Sequence, residues 1–208
     1  HFIESELLEP EFRSHPDRYW EKRDLTPAGL VACLGVKKTM PELRHHNVLI
    51  DMNWESSNEQ IFINHEWSPK PIVFIDNPSK TNAKLAPKGM ENIVIHVPIA
   101  ATVEPTDEQL ERLMLSVIGR IQEQLGYAFM DDIVVAEFKA HDYYTETFHN
   151  FQGSMNGLAP SIAQLSSHRP ASQSHKVKNL FYTGPYTNPG STPATSMANA
   201  KALAQRIT

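Results

Sequence analysis

The chain has 208 residues, a formal net charge of -5 and an apolar fraction of 40% that includes three Trp and nine Phe. That is enough apolar material for a real core in one large domain or two small ones, which excludes a disordered tail or a fibre. Charges of both signs are scattered, leaving no electrostatic footprint for nucleic acid. The lone Cys33 excludes a disulfide framework and fits a reducing compartment.

In chain order, the opening HFIESELLEPEF carries acids where a secretory signal would carry bases, and reads as a helix-and-turn segment. It begins at His1, which leads us to expect an excised piece of a longer chain. Leu30–Val36, LVACLGV, behind Pro27 and Gly29, reads as a buried strand. Val48–Met52 is a second strand, Pro71–Asp76 a third stopped by Asn77-Pro78, and Asn92–Ala100 a fourth. Leu110, Leu113, Met114, Val117, Ile118, Ile121 and Leu125 then form one apolar helical stripe, with Thr106 and Gln109 as a capping box and Gly126 as the stop. Asp132–Ala140 is a fifth strand with one wetter face. Residues 141–170 are rich in aromatics, Gly and Ser, with helix-like pieces around Thr145–Phe151 and Ser161–Ser167, a composition suited to lining or covering a cavity. Val177–Thr183 is a sixth strand, running into a Gly/Pro/Tyr/Thr/Asn loop and an alanine-rich helix. No apolar run approaches the roughly 18 residues of a membrane span. The whole reads as α+β, with one α/β element at the end.

Few residues offer chemistry by spacing. His45-His46 point opposite ways in an extended chain and lack further ligands at metal spacing, so no metal site is expected. Asp131-Asp132 suits a solvated turn, Cys33 an inert core position, and Ser154 in QGSMNG lacks the spacing of a nucleophile elbow. Gly153 and Gly157 serve either close packing or the approach of a flat ligand; position alone leaves both open. Gly184 and Gly190 flank PYTNP between a strand and a helix, a context in which backbone N–H groups meet anions.

Five stretches carry a family likeness, in order. They are DRYWEKRDLTPAGLVACLGV, PELRHHNVLI, NPSKTNAKLAPKGMENIVIHVPIA, MNGLAPSIAQLSSHRP and KVKNLFYTGPYTNPG. The chain resembles the C-terminal half of the bacterial phytoene desaturases, the FAD-dependent carotenoid desaturases, from His1 to Thr208. It departs from the family pattern at Asn82, usually Asp, at Pro185 and Tyr186, usually smaller, and at Ser191–Ser196, usually richer in glycine. Pro185 has no N–H to donate.

The resemblance implies a mixed β-sheet substrate domain with flanking helices over residues 1–176. Residues 177–208 would be the returning strand and helix of a discontinuous FAD-binding, Rossmann-like domain whose GxGxxG half lies outside this chain. It implies FAD contacts at Gly184, Pro185, Tyr186, Thr187, Asn188, Pro189, Gly190 and Thr192. A polyene substrate would be lined by Phe148, Phe151, Gly153, Asn156 and Gly157. Double bonds would be introduced into phytoene or a related polyene, by a cytoplasmic protein peripheral to the membrane. The piece by itself is expected to be inactive, and could pair with itself through the Leu180–Tyr182 edge. The alternatives are a carotenoid isomerase, ketolase or saturase of the same superfamily, or a stand-alone lipid-binding module.

Overall fold

A computed structural model describes residues 1–190 and 192–207, with Ser166 described by its backbone alone. Ser191 and Thr208, within the loop and helix read above, lie outside the described residues. The chain packs as two compact units: Ala28–Tyr143, and His1–Pro27 together with Tyr144–Thr208. The boundary expected at 176/177 falls inside the second of these.

The first unit is a sheet covered by a helix. Its strands are β1 (Ala28–Val36), β2 (His46–Leu49), β3 (Val73–Asp76), β4 (Glu91–Ile99) and β5 (Ile133–Lys139), in the order β2-β3-β4-β1-β5. These are the first five strands expected, each within a few residues of its place. Every pairing is antiparallel, which corrects the mixed sheet of the sequence reading. The reason is topological. The one long helical crossover leads from β4 to β5, which run in the same direction but flank β1, so no two parallel strands become neighbours.

Alternate residues of the central strands are buried: Leu30, Ala32, Leu34 and Val36 in β1, and Ile93, Ile95, Val97 and Ile99 in β4. Period-2 alternation puts such sets on one face. Among the described residues the α-helices are α1 (Asp17–Trp20), α2 (Trp54–Glu59), α3 (Asp107–Leu125) and α4 (Pro193–Ile207). In α3 the residues Leu113, Met114, Val117, Ile118 and Ile121 are buried, as their spacing dictates. The capping box forms: the Thr106 hydroxyl accepts the Gln109 N–H at 3.3 Å, and the Gln109 side chain accepts the Thr106 N–H at 2.9 Å. Gly126 ends the helix with φ 78°, a left-handed conformation that glycine adopts without strain.

An ion pair between buried Arg120 and the exposed Asp51 ties α3 to the chain beyond β2. The Arg120 guanidinium donates to both carboxylate oxygens of Asp51 and, at 2.8 Å, to the Pro71 carbonyl; Lys70 approaches Asp51 at 3.1 Å. The Arg120 hydrogen bond holds the Asp51 carboxyl at about 2, against the opposing effect of desolvation and with Lys70 assisting. Because that pKa is depressed from 3.8, the pair's contribution is full above the unfolded value and is lost as pH falls through about 2. Denaturant titrations from pH 5 down to pH 2 are therefore expected to show a stability loss that Asp51→Asn flattens. A loss of equal slope in the variant would remove Asp51 as its source.

The second unit is made mostly of short turns. Residues 24–27 lie along 155–159, with the Thr26 N–H on the Gly157 carbonyl at 2.8 Å and the Ala159 N–H on the Asp24 carbonyl at 2.8 Å. The expected helices near 145–151 and 161–167 are single turns, at Tyr143–Thr147, Phe151–Gly153, Ile162–Gln164 and Ser166–His168. Gly, Ser and Asn in this stretch cost too much backbone entropy for longer helices.

The sixth strand, Val177–Thr183, does not form. Asn179 stands at φ 62° and breaks the extended run. What remains is a bridge between Gln173 and Phe181, with Ser174 N–H on Leu180 O at 2.9 Å and Tyr182 N–H on Ser172 O at 3.0 Å. A parallel strand is stable only between neighbours, and among the described residues none lies beside it. The Leu180–Tyr182 edge is thus already bonded on one side. Among the described residues no helix is long and apolar enough to cross a membrane.

Candidate functional site

The loop after Tyr182 borders a cavity of about 260 Å³ within the second unit. Its wall is aromatic: Trp20, His15, His175, Phe148, Tyr182 and Tyr186 all face it. Trp20 is almost wholly buried and meets His15 and Tyr186 edge-on, at 5.6 and 6.0 Å between ring centres. Its indole N–H has no hydrogen-bond partner among the described residues. Such a buried donor is costly unless something completes it.

At one wall Glu4 is buried and organises the N-terminal segment. Its carboxylate accepts the N–H of Ser14 at 2.5 Å, the N–H of His15 at 3.1 Å, and the Tyr182 hydroxyl. Burial alone would raise its pKa, but the hydrogen bonds from Tyr182, His15 and Ser14 together outweigh burial and hold the carboxyl below its ordinary value. Burial and the bond to Glu4 push the Tyr182 hydroxyl up to about 12, so it remains a donor at neutral pH. Burial lowers the pKa of His15 against the pull of Glu4, with His175 and Arg23 adding to the lowering.

The eight expected cofactor contacts differ in what they have free. Gly184 and Gly190 have φ 119° and 139°, and a Cβ added to either would meet nothing within 4 Å. Among the described residues no partner is found for the N–H groups of Gly184, Tyr186 and Asn188. Pro185 and Pro189 have no N–H, and the Asn188–Pro189 peptide is cis. Thr187 is buried; its hydroxyl donates to the Gly184 carbonyl at 3.1 Å and accepts from Asn199 of α4 at 2.7 Å. Thr192 uses its hydroxyl to cap α4, accepting the Thr195 N–H at 3.2 Å. Tyr186 is half-buried, desolvation raises its pKa, and its hydroxyl accepts the Phe151 N–H at 3.0 Å.

Arg169 fixes the loop from behind. Its buried guanidinium donates to the carbonyls of Leu158 at 3.0 Å, Ala159 at 3.4 Å and Pro185 at 2.8 Å. Desolvation lowers its pKa, with Tyr19 acting the other way.

Of the expected substrate-lining residues, Phe148 borders the cavity and is more than half exposed. Phe151 stacks on His1 at 4.1 Å and lines a neighbouring depression with Thr145 and Gln152. Gly153 is buried at φ 68°. Asn156 is exposed, its N–H on the Thr26 hydroxyl at 3.0 Å. Gly157, at φ 71°, packs under Tyr186: an added Cβ would lie 3.1 Å from that ring. Neither Gly153, Asn156 nor Gly157 borders the aromatic cavity.

The weaker candidates sit in ordinary surroundings. His45 bonds Thr81 and His46 bonds Asp76 through ring nitrogens, both at 2.6 Å. Asp132 faces Lys38 at 3.5 Å, and the Ser154 hydroxyl donates to the Phe151 carbonyl at 3.0 Å. Glu104, His141 and Asp142 bring ligand atoms within 4.8 Å of one another, but the two carboxylates are exposed and the His141–Asp142 approach is a sequence-neighbour contact at 3.5 Å. The sequence reading missed Glu4, His15, Trp20 and Arg169.

No protein-family model matches the chain. Curated relatives do. A carotenoid 3,4-desaturase of Haloarcula japonica is 30% identical over 187 residues, covering 90% of this chain and 38% of the relative. A zeta-carotene-forming phytoene desaturase of Myxococcus xanthus is 30% identical over 90% of this chain and 37% of the relative. A 4,4'-diapophytoene desaturase of Staphylococcus aureus is 26% identical over 95% of this chain and 41% of the relative. The chain thus spans about two fifths of the length of the curated relatives it matches.

Proposed function

We infer that this chain, which belongs to the family of the carotenoid and phytoene desaturases, is one portion of a flavin-dependent desaturase that introduces double bonds into phytoene or a related long polyene. The observation that carries the site is the closing loop itself. It leaves the N–H groups of Gly184, Tyr186 and Asn188 without partners among the described residues, and its Tyr186 lines an aromatic cavity together with Trp20. Those features fit a flat, acceptor-bearing group such as the flavin of FAD, and Arg169 keeps the loop in shape for it.

In this reading Gly184, Tyr186, Asn188 and Gly190 hold the cofactor through their backbone. Pro185, Thr187, Pro189 and Thr192 shape the loop and join it to α4. When bound, FAD supplies the oxidation, taking a hydride as the neighbouring carbon gives up a proton, so that each turnover adds one conjugated double bond. The chain's own residues orient an apolar substrate and exclude water. Phe148 and Phe151 lie along its path, and Trp20 and Tyr186 wall the cavity. Residues 177–208 belong functionally to the cofactor domain and the earlier residues to the substrate domain. The substrate's solubility in bilayers argues for peripheral membrane contact.

The test has two parts. Expressed in a phytoene-accumulating host, the full-length protein is expected to give extracts with visible polyene bands whose positions count the new double bonds. The 208-residue chain alone is expected to leave FAD fluorescence unquenched at stoichiometric concentration, because its sequence holds no GxGxxG turn to cradle the pyrophosphate. A colourless extract containing FAD-loaded full-length protein would overturn the phytoene reading. Tight FAD binding by the isolated chain would overturn the division of the cofactor site.

A further inference from the structure

The sheet's two edges are built differently. β2 has four residues, is flanked by polar Arg44 and His45, and carries His46 and Asn47, with His46 bonded across to Asp76. Such short, polar edges resist further pairing. β5, at the other end, has seven residues, IVVAEFK, and no proline. Only its beginning is irregular, where the register against β1 shifts between Gly35 and Val36; from Val135 to Lys139 the pairing is regular.

This regular edge is apolar and uncovered. Val134, Val135 and Phe138 are 53%, 61% and 54% exposed. Among the described residues, no backbone hydrogen bond of residues 134–139 lies outside the pairing with β1. Ala136 and Phe138 stand opposite Leu34 and Ala32, on the face that is buried elsewhere in the sheet. Beside them α3 leaves a groove of about 610 Å³, floored by Leu30, Met114, Ile118 and Phe138, with Leu115 half exposed at its rim. The helical cover therefore stops short of the last strand, and the core is open along one side.

We propose that β5 is an interior strand of the whole protein's sheet, and that an extended segment from the part of the polypeptide outside these 208 residues pairs with its free edge and closes the groove against α3. The material exists: about three fifths of the length of the curated relatives lies outside the region they share with this chain. A second copy paired antiparallel about Phe138 would set Glu137 against Lys139, and those two charges already pair at 2.9 Å within the chain, so the choice of an intramolecular segment rests on the length of the relatives. The inference rests on the edge and on the relatives' length, and not on the reaction catalysed.

A photo-crosslinking residue in place of Val135 in the full-length protein tests it, with the linked peptide identified by mass spectrometry. The expected product is an intramolecular link to a peptide outside the 208 residues. Hydrogen exchange should agree: amides of residues 134–139 are expected to exchange at least about tenfold more slowly in the full-length protein than in the isolated chain. A link between two copies of β5 would overturn the proposal in favour of a dimer edge. No link, together with equal exchange in the two forms, would overturn it in favour of a free edge.

Discussion

Replacing Arg169 with alanine is expected to lower the stability of its unit by about 3 kcal/mol, the size expected when hydrogen bonds from a charged donor to buried acceptors are removed. The guanidinium serves three carbonyls, those of Leu158, Ala159 and Pro185, from a buried position without a carboxylate beside it. Two effects compete. Alanine removes the desolvation cost of a buried cation, but it also takes the donor from the Leu158 and Pro185 carbonyls, while Ala159 keeps the Gln164 side chain at 3.1 Å, and it leaves a void between two loops. The lost charge-assisted bonds win because one planar fork serves these carbonyls at once. Lysine, with a single ammonium on a flexible stem, should recover less than half of the loss. Urea unfolding of the wild type, Arg169→Ala and Arg169→Lys measures this, and an alanine variant within about 0.5 kcal/mol of wild type would show that the carbonyls find other donors. The functional consequence follows from Pro185, which sits in the proposed flavin loop. In full-length protein, Arg169→Ala is expected to raise the fraction of cofactor lost on gel filtration even where the fold survives.

Replacing Glu91 with alanine is expected to cost about 4 kcal/mol in the sheet unit, in the range for breaking a buried ion pair by deleting one member. Glu91 opens β4 with only 6% of its surface exposed. It accepts the Met40 N–H at 3.1 Å, the Lys80 ammonium at 2.6 Å, the Ser79 hydroxyl at 3.3 Å and the Asn77 side-chain amide. The motif NPSKT, part of the family likeness in the sequence, thus wraps the first residue of β4 and brings Met40 with it. Burial works to raise the Glu91 pKa, but Lys80, Asn77 and Met40 together lower it below the ordinary carboxylate value of 4.5. The contribution is accordingly present above that ordinary value and is lost as pH falls through the depressed one. Glu91→Gln keeps the shape but sets an NH2 group among donors, so it should lose roughly half as much as alanine at pH 7. If Glu91→Ala and Glu91→Gln unfold at the same urea concentration at pH 7, side-chain shape contributes nothing and charge alone holds the corner.

Much of the sheet unit was legible in the residues alone. The strands Ala28–Val36 and Glu91–Ile99 alternate or run apolar over nine residues, and the stripe from Leu113 to Ile121 has one helical period with a capping box at its start. Such signals are local, because periodicity, caps and turn residues act within a few positions of themselves. The family likeness was legible for a related reason: ordered motifs along the chain need no distances. The sequence reading erred where a segment's state depends on a partner. Val177–Thr183 has strand composition, but pairing is made by neighbours, and one left-handed Asn179 suffices to end an unpaired extended run. The mixed sheet was likewise a statement about which strands become neighbours, which composition does not contain.

The site shows the same division. The loop Gly184–Gly190 announced itself by its glycines, because a backbone that must leave space open needs residues without a Cβ. Glu4, Arg169 and Trp20 did not, since each acquires its role from groups far along the chain: Glu4 from Tyr182, Arg169 from Leu158 and Pro185, and Trp20 from the cavity it faces. Residue order was thus enough for the local elements, the apolar faces and the family likeness. It took the folded arrangement to establish that β5 ends the sheet uncovered, that the sheet is antiparallel throughout, and that buried charges fasten the closing loop. Burial and long-range hydrogen bonds depend on positions in space, and those exist only once the chain has folded.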